Sequence, residues 1–401
     1  MIVKDILTSH KQGFYKPGKQ KGGNVHFVRI SDINNSFYLD TDSTPMIEAD
    51  KSDIERFSIK KDDFLFARTG GAGRFCLIQE DLNGIFASYL IRFRFNNQND
   101  SNFLRYFFMS DSFQKELKSK IHGGVNQNVH AENIKDCNVP EIELSEQKQI
   151  VATLDKAFAA IDTAKANAEQ NLQNVKELFE SYLQNVFSTK GDDWEEGEFG
   201  NIITTLTDYH ANGSYKILKK NVELKDNDDY AWMIRSTDFE KSFKNQFKYI
   251  DEHAYNFMSK SKVFGNEIIM SKIGNAGKTY LMPKIDRPIS LAMNLFLIRL
   301  DESRALPQFV FRFLKSEKGE SQIKKRVKGA TTKTITKDNV RNIIISYPSL
   351  ETQKDIVQKL DILSLETKKL EVIYTQKIAD LEEMKNSVLQ KAFSGQLNTI
   401  N

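Results

Sequence analysis

Cysteine, proline and long apolar runs are all scarce in this chain of 401 residues. Its two cysteines, Cys76 and Cys137, are too few for a disulfide framework or a thiolate cluster, and they fit a reducing cytoplasm. No apolar run approaches the roughly 18 residues of a membrane span. The opening MIVKDILTSHKQG lacks the apolar core of a secretory signal, so no membrane association is expected. Seven prolines, 40% hydrophobic and 28% charged residues describe an ordinary soluble globular chain. A net charge of +3 names no partner by itself.

Catalytic signatures are missing as well. His10, His26, His122, His130, His210 and His253 have no zinc-ligand spacing with the cysteines. There is no glycine-rich methyl-donor loop, no Asn/Asp-Pro-Pro-aromatic tetrapeptide, and no Ser/His/Asp order that repeats across the two copies. Gly277-Lys278-Thr279 resembles the end of a phosphate-binding P-loop, but the position five before Gly277 is Lys272 rather than glycine. The sequence offers binding surfaces rather than a reaction centre.

What is present is present twice. The run from Glu146 to Asp155 (EQKQIVATLD) matches Thr352 to Asp361 (TQKDIVQKLD) at an offset of 206, and 13 of the 44 positions in 145–188 are identical in 351–394. Upstream, IHGGVNQNVHAENIKDCNV (121–139) lies over VKGATTKTITKDNVRNIII (327–345). DFLFARTGGAGRFCLI (63–78) meets EIIMSKIGNAGKTYLM (267–282), and VRISDI meets IRSTDF. Several blocks in one order are a tandem duplication.

The stretches 146–187 and 352–393 contain neither glycine nor proline and carry heptad seams. One seam reads Ile150, Leu154, Ala157, Ile161, Ala164, Ala168, Val175, Leu178, Tyr182. The other reads Ile356, Leu360, Leu363, Leu370, Tyr374, Leu381, Met384, Val388. Pro140 and Pro348 precede them, and Gly191 and Gly395 follow. Each predicts a helix of about 42 residues, roughly 63 Å long. A narrow apolar stripe on so long a helix needs a partner. The expected partner is the duplicate helix, antiparallel because a whole domain intervenes; the alternative is that each helix packs across its own globular half.

The globular halves, 1–142 and 191–348, read as mixed α/β with short strands such as VHFVRI and DFLFAR. One amphipathic helix is expected per half, over FLRYFFMSDSFQKELKSKI and FVFRFLKSEKGESQIKKRV. The glycine loops carry a cation on each side, Arg68 and Arg74 in one copy, Lys272 and Lys278 in the other. That pattern suits close approach to a phosphate backbone, or else a plain glycine hairpin with solvated charges. A second loop, Lys324 to Lys337, has six basic residues and no acid. Its candidates are Lys324, Lys325, Lys328, Thr332, Lys333 and Thr334. The first copy offers His122, Asn126, Gln127, Asn128 and His130. Such residues can touch phosphates and read base edges. The helical stretches are mildly acidic (four lysines to six acids in 145–188, seven to eight in 351–401), which leaves +6 on the heads.

With these motifs the chain resembles the specificity subunits of type I restriction–modification systems. LSEQKQIVATLD, LETQKDIVQKLD, VLQKAFSGQL and the two strand–glycine-loop–strand blocks carry the resemblance over essentially the whole length. It implies an α+β pseudo-twofold tandem repeat. Target recognition domains at 1–142 and 191–348 would be separated by long antiparallel helices, 143–190 and 349–401, forming a coiled coil. It implies a non-catalytic cytoplasmic subunit in which each domain reads one half of a bipartite double-stranded DNA site. The helices, through Ile150, Leu154, Ile161, Ile356, Leu360 and Leu363, would fix the spacing and dock two methyltransferase (M) subunits, which restriction (R) subunits join. No cofactor is expected here; S-adenosylmethionine, ATP and magnesium would belong to the partners. The alternative is a coiled-coil scaffold whose basic heads bind acidic proteins. One departure concerns the start. The second copy opens with Asp193-WEEGEFGNIITTL, while the first begins at MIVKDILTS without a tryptophan segment. Either the tail GQLNTIN packs where that segment would lie, or the start is not the native one.

Overall fold

The computed structural model describes residues 1–394 and 396, apart from 16–21, 70, 72, 122–127, 190, 192 and 245. The chain divides into two compact units, Met1–Glu169 with Thr375–Asn401, and Gln170–Tyr374. These do not follow the expected division at 142/143 and 348/349. Each unit takes a stretch of both long helices, because those helices bury apolar residues on the heads.

In the first unit the strands are β1 (Leu7–Gln12), β2 (Val25–Val28), β3 (Met46–Ile47), β4 (Phe64–Ala67), β5 (Phe75–Leu77), β6 (Gly84–Phe86) and β7 (Leu90–Phe95). The helices are α1 (Val3–Ile6), α2 (Lys51–Phe57), α3 (Ser101–Met109), α4 (Asp111–Lys120), α5 (Ala131–Lys135) and the start of α6 (Leu144–Ser188). An antiparallel sheet runs β1-β7-β4-β5, and a smaller one runs β3-β2-β6 with β2 and β6 parallel. Strand β4 reads FLFA with every residue buried, because side chains on a strand alternate between faces and here both faces are covered. Phe64 and Phe66 point into a core with α3 and α4, while Leu65 and Ala67 face the small sheet through Val28 and Phe86.

The second unit repeats this. Its strands are β8 (Glu195–Glu198), β9 (Ile203–Asp208), β10 (Ala231–Ile234), β11 (Tyr249–Ile250), β12 (Lys262–Val263), β13 (Ile268–Ser271), β14 (Thr279–Leu281), β15 (Ile289–Leu291), β16 (Leu295–Leu300) and β17 (Ile344–Tyr347). Its helices are α7 (Tyr215–Asn221), α8 (Ser236–Glu240), α9 (Glu252–Phe257), α10 (Pro307–Lys315), α11 (Glu317–Arg326), α12 (Lys337–Arg341) and part of α13 (Leu350–Phe393). The sheet order β9-β16-β13-β14 is that of β1-β7-β4-β5, and β10 and β15 again pair in parallel.

Two expectations need correction. The single amphipathic helix per half is two helices, broken at Ser110 and at Ser316, both extended there. Each serine caps the following helix, accepting from the amide of Phe113 at 3.4 Å or Gly319 at 3.3 Å, and returns its own proton to a carbonyl one turn back. The seam is also not strictly heptad. Leu178, Leu370 and Met384, assigned to it, are 51%, 37% and 52% exposed, whereas Phe158, Leu183 and Phe187 are buried instead.

The long helices measure 45 and 44 residues. Within the first unit they pass each other antiparallel, with Lys385 on Asp162 at 2.7 Å and Lys165 on Glu382. They also pack across the heads, so both readings of the stripe hold. Ile150 and Leu154 sit in the first core, and Leu360, with Ile356 against it, sits in the second. The duplicated QK of the helix-start motifs has a structural role. Gln147 and Gln353 are buried, accept from the amides of Asp100 and Leu306 at 2.8 Å, and donate to Ile142 and Pro348 carbonyls at 2.8 Å. VRISDI and IRSTDF likewise hold matching pairs, Arg29–Asp32 and Arg235–Asp238, each at 2.8 Å with the acid buried.

Each head is closed by the end of a long helix. Phe187 of α6 packs on Phe309 and Phe313 (5.4 and 5.6 Å between centroids), and Phe393 of α13 packs on Phe103 and Phe107 (5.4 and 5.5 Å). Trp194 adds a further ring in the second unit, 5.8 Å from Phe309. The tail expected to replace it, GQLNTIN, lies outside the described residues except for Gln396. Both cysteines are in the first unit, and burial pushes their thiols up to about 12. The native chain should therefore resist alkylation at neutral pH. Phe393→Ala should cost about 3–5 kcal/mol in the first unit and speed labelling of Cys76 and Cys137 by roughly 100-fold or more. Phe187→Ala should leave the labelling rate near wild type, and timed alkylation with mass spectrometry checks both.

Candidate nucleic-acid interface

Strand β13 ends at Ser271, and the glycine loop runs from Lys272 to Lys278. The loop 328–336 folds back onto that turn. Lys328 and Thr334 exchange two backbone hydrogen bonds at 2.9 and 2.8 Å, the Gly274 amide donates to Lys333 at 3.0 Å, and the Ile335 amide donates to Lys272 at 3.1 Å. Gly329 turns the loop at φ +107, where an added Cβ would lie 2.1 Å from the Thr332 carbonyl. Ile335 is buried as an anchor, while Lys328, Thr332 and Lys333 are exposed and Thr334 is half-buried. At the base, the Asn339 amide donates to the Arg326 carbonyl at 3.0 Å.

The first unit builds the same junction. The Val129 amide donates to the Arg68 carbonyl at 2.8 Å, Val129 is fully buried, and Asn128 and His130 stand exposed on either side of it. Asn133 closes the base on the Lys120 carbonyl at 2.7 Å. His122, Asn126 and Gln127 lie outside the described residues. The two loops that the sequence presents separately are thus one site in each unit, and two further exposed side chains border it. Tyr89, 57% exposed, gives its carbonyl to the Arg68 amide, and Asn294 gives its carbonyl to the Lys272 amide.

The cation–glycine–cation reading needs revision. Lys278 donates to Glu240 at 2.8 Å, which holds the lysine above its ordinary range and the carboxyl below its own. Arg74 donates to the Ile33 carbonyl, one position before the Glu240 equivalent in the other copy. The second cation of each loop is a clamp on the loop's own unit. Lys272 is bound to Asp208 at 3.0 Å. Arg68 has no ion pair among the described residues. Gly73 and Gly277 are required by close packing, whereas Gly274 has open space around it. At Gly73 (φ +88) a Cβ would meet Gln114 at 2.7 Å, and at Gly277 (φ +87) it would meet Ile323 at 2.2 Å.

Three further expectations shift. Lys324 lies on α11 and lines a cleft of about 720 Å³ with Phe179, Leu183 and Arg312 rather than the loop; Lys325 is exposed on the same helix. Ile150, Leu154, Ile161 and Leu360 are at most 7% exposed, and Ile356 and Leu363 are half-buried. The four buried ones are not a free docking surface. Among the apolar side chains that α13 leaves outward, Ile362, Leu365, Val372 and Ile373 are 56–70% exposed, and Leu370 and Met384 join them. Among the described residues no three His, Cys, Asp or Glu side chains group as a metal site, and no helix is long and apolar enough to cross a membrane.

Residues 2–174 and 175–381 each match the family described as Type I restriction modification DNA specificity domain. The chain belongs to that family. It is 24% identical over 293 residues to the type I restriction enzyme EcoBI specificity subunit of Escherichia coli, covering 68% of this specificity-family chain and 60% of that subunit. It is 22% identical over 397 residues to the StySPI specificity subunit of Salmonella potsdam, covering 92% and 82%. Its fold is that of the HsdS subunit from Thermoanaerobacter tengcongensis (TM-score 0.67, 18% identity, 99% and 96% of the two chains). A chain in a structure of type I R-M complex assembly gives a TM-score of 0.73 at 17% identity over 99% and 97%.

The packing of the glycine turn is directly testable. Gly277→Ala, which meets both a positive φ and the Ile323 side chain, should cost about 2–3 kcal/mol in denaturant unfolding. Gly274→Ala, at φ +81 with open space around it, should cost only about 1–2 kcal/mol.

Proposed function

We propose that this chain is the DNA sequence-specificity subunit of a type I restriction–modification complex, in which each unit reads one half of a bipartite duplex site. One observation carries the reading. The same loop-on-turn junction is built twice on one scaffold, and the exposed side chains it presents differ, Asn128 and His130 against Lys328, Thr332 and Lys333, with Thr334 half-buried beside them. Two readers that share a frame and differ in their polar tips suit two different base sequences. Exposed lysines at the loop supply the sequence-independent attraction to phosphate.

In this reading the heads 1–142 and 191–348 are the target recognition domains, and the helical stretches 143–190 and 349–401 set the length of DNA left unread. The helices dock two methyltransferase subunits on their outward faces, and restriction subunits join through these. The chain performs no chemistry of its own. S-adenosylmethionine, ATP and magnesium belong to the partners, and the complex works in the cytoplasm.

Long-read sequencing of a methylation-active host before and after deletion of the gene checks this. Methyladenine should vanish from one split motif; unchanged adenine methylation contradicts the reading. Exchanging 1–142 for another family head should alter one half of the motif and spare the other. A change in both halves contradicts the assignment of one unit to one half-site.

A further inference from the structure

The edge strand β1 runs beside the loop junction of the first unit. There a cleft of about 250 Å³ is lined by His10, Lys11, Gln12, Arg68, Ile91, His130 and Ala131. The polar side chains in that set are donors or cations, with no carboxylate among them. The acid nearest in sequence, Glu132, is held by Lys135 at 2.7 Å. Lys11 lies over the Phe57 ring with Arg56 beside it, so cations gather along this wall of the cleft, while the Glu132 charge reaches His10.

The second unit fills the same place differently. By strand register Gln12 opposite Ile91 corresponds to Asp208 opposite Phe296, and the positions of His10 and Lys11 fall on Leu206 and Thr207. Asp208 binds Lys272 at 3.0 Å and lies 3.9 Å from Lys337. What is in one unit a group of cations without a direct ion pair among the described residues is an internal salt bridge in the other.

Resting on the DNA-binding reading, we propose that the cleft of His10, Lys11, Gln12, Arg68 and His130 holds one backbone phosphodiester of the bound duplex. The equivalent position in the second unit takes none, because Asp208 occupies it. Arg68 contributes a fork of donors, Lys11 a second charge, and Gln12 an amide donor. The cleft is roomy enough for a phosphate group, and the edge position of β1 leaves it open to a ligand as large as a duplex. The two heads then differ in phosphate contacts although their folds match.

The test is the salt dependence of binding of the full chain to a random-sequence duplex, read by fluorescence anisotropy. Each phosphate contact contributes about 0.9 to the slope of log affinity against log salt, or about three-fold in affinity between about 50 and about 200 mM. Gln12→Asp copies the second unit into the first and should lower the slope by about one. Asp208→Asn, which keeps the acceptor for the Ala211 amide, should raise it by about one. Gln12 is exposed at a strand end, so its substitution should leave Tm unchanged. If Tm falls, His130→Asp brings the same charge to the opposite wall. A Gln12→Asp chain with the wild-type slope and affinity overturns the cleft while leaving the DNA reading intact. An Asp208→Asn chain with the wild-type slope overturns the asymmetry. A wild-type chain that does not bind duplex overturns both the cleft and the DNA reading.

Discussion

In each unit one backbone hydrogen bond joins the two halves of the candidate interface: the Val129 amide on the Arg68 carbonyl, and the Ile335 amide on the Lys272 carbonyl. On one side of it is the end of a fully buried strand, which cannot move without opening two cores. On the other side is a polar loop, which alone would have no reason to hold one conformation. The bond and the buried anchor residue pass the rigidity of the sheet to the loop. Side chains before and after the anchor then point outward from a fixed base. Recognition by hydrogen bonds to base edges needs such a base, since the entropy of ordering a loop on binding would offset much of what those bonds contribute.

The duplication makes this solution economical, yet the two copies reach it with different stretches of chain. The second head is closed by the end of α6, which precedes it in sequence, and the first by the end of α13, far downstream. Both ends present phenylalanine to the same pair of ring positions. The helix ends are thus part of the head cores. That explains why their apolar residues are buried.

Much of this was legible in the sequence. Two copies, two long helices, the strands around the glycine turns and the polar loops all follow from periodicity and self-alignment, because those signals are local. The meeting of loop and turn was not, since it joins residues about sixty apart through backbone atoms that side-chain pattern does not encode. The fate of the flanking cations was hidden for the same reason. Their partners Asp208 and Glu240 lie 64 and 38 residues away. The breaks at Ser110 and Ser316 had a signal, a serine set to cap the next turn inside an otherwise apolar pattern, which the amphipathic periodicity outweighed. The buried glutamines Gln147 and Gln353 show how a duplicated motif can fasten a helix to its head.

Hydrogen exchange of the full chain, with and without a duplex carrying the motif it specifies, tests the location of the interface most directly. The account predicts that DNA slows exchange at the glycine turns and loops of both units, around 68–74 with 128–130 and around 272–278 with 328–336, and leaves α6 and α13 unchanged. Protection centred on the long helices, or absent from both loop junctions, would contradict it.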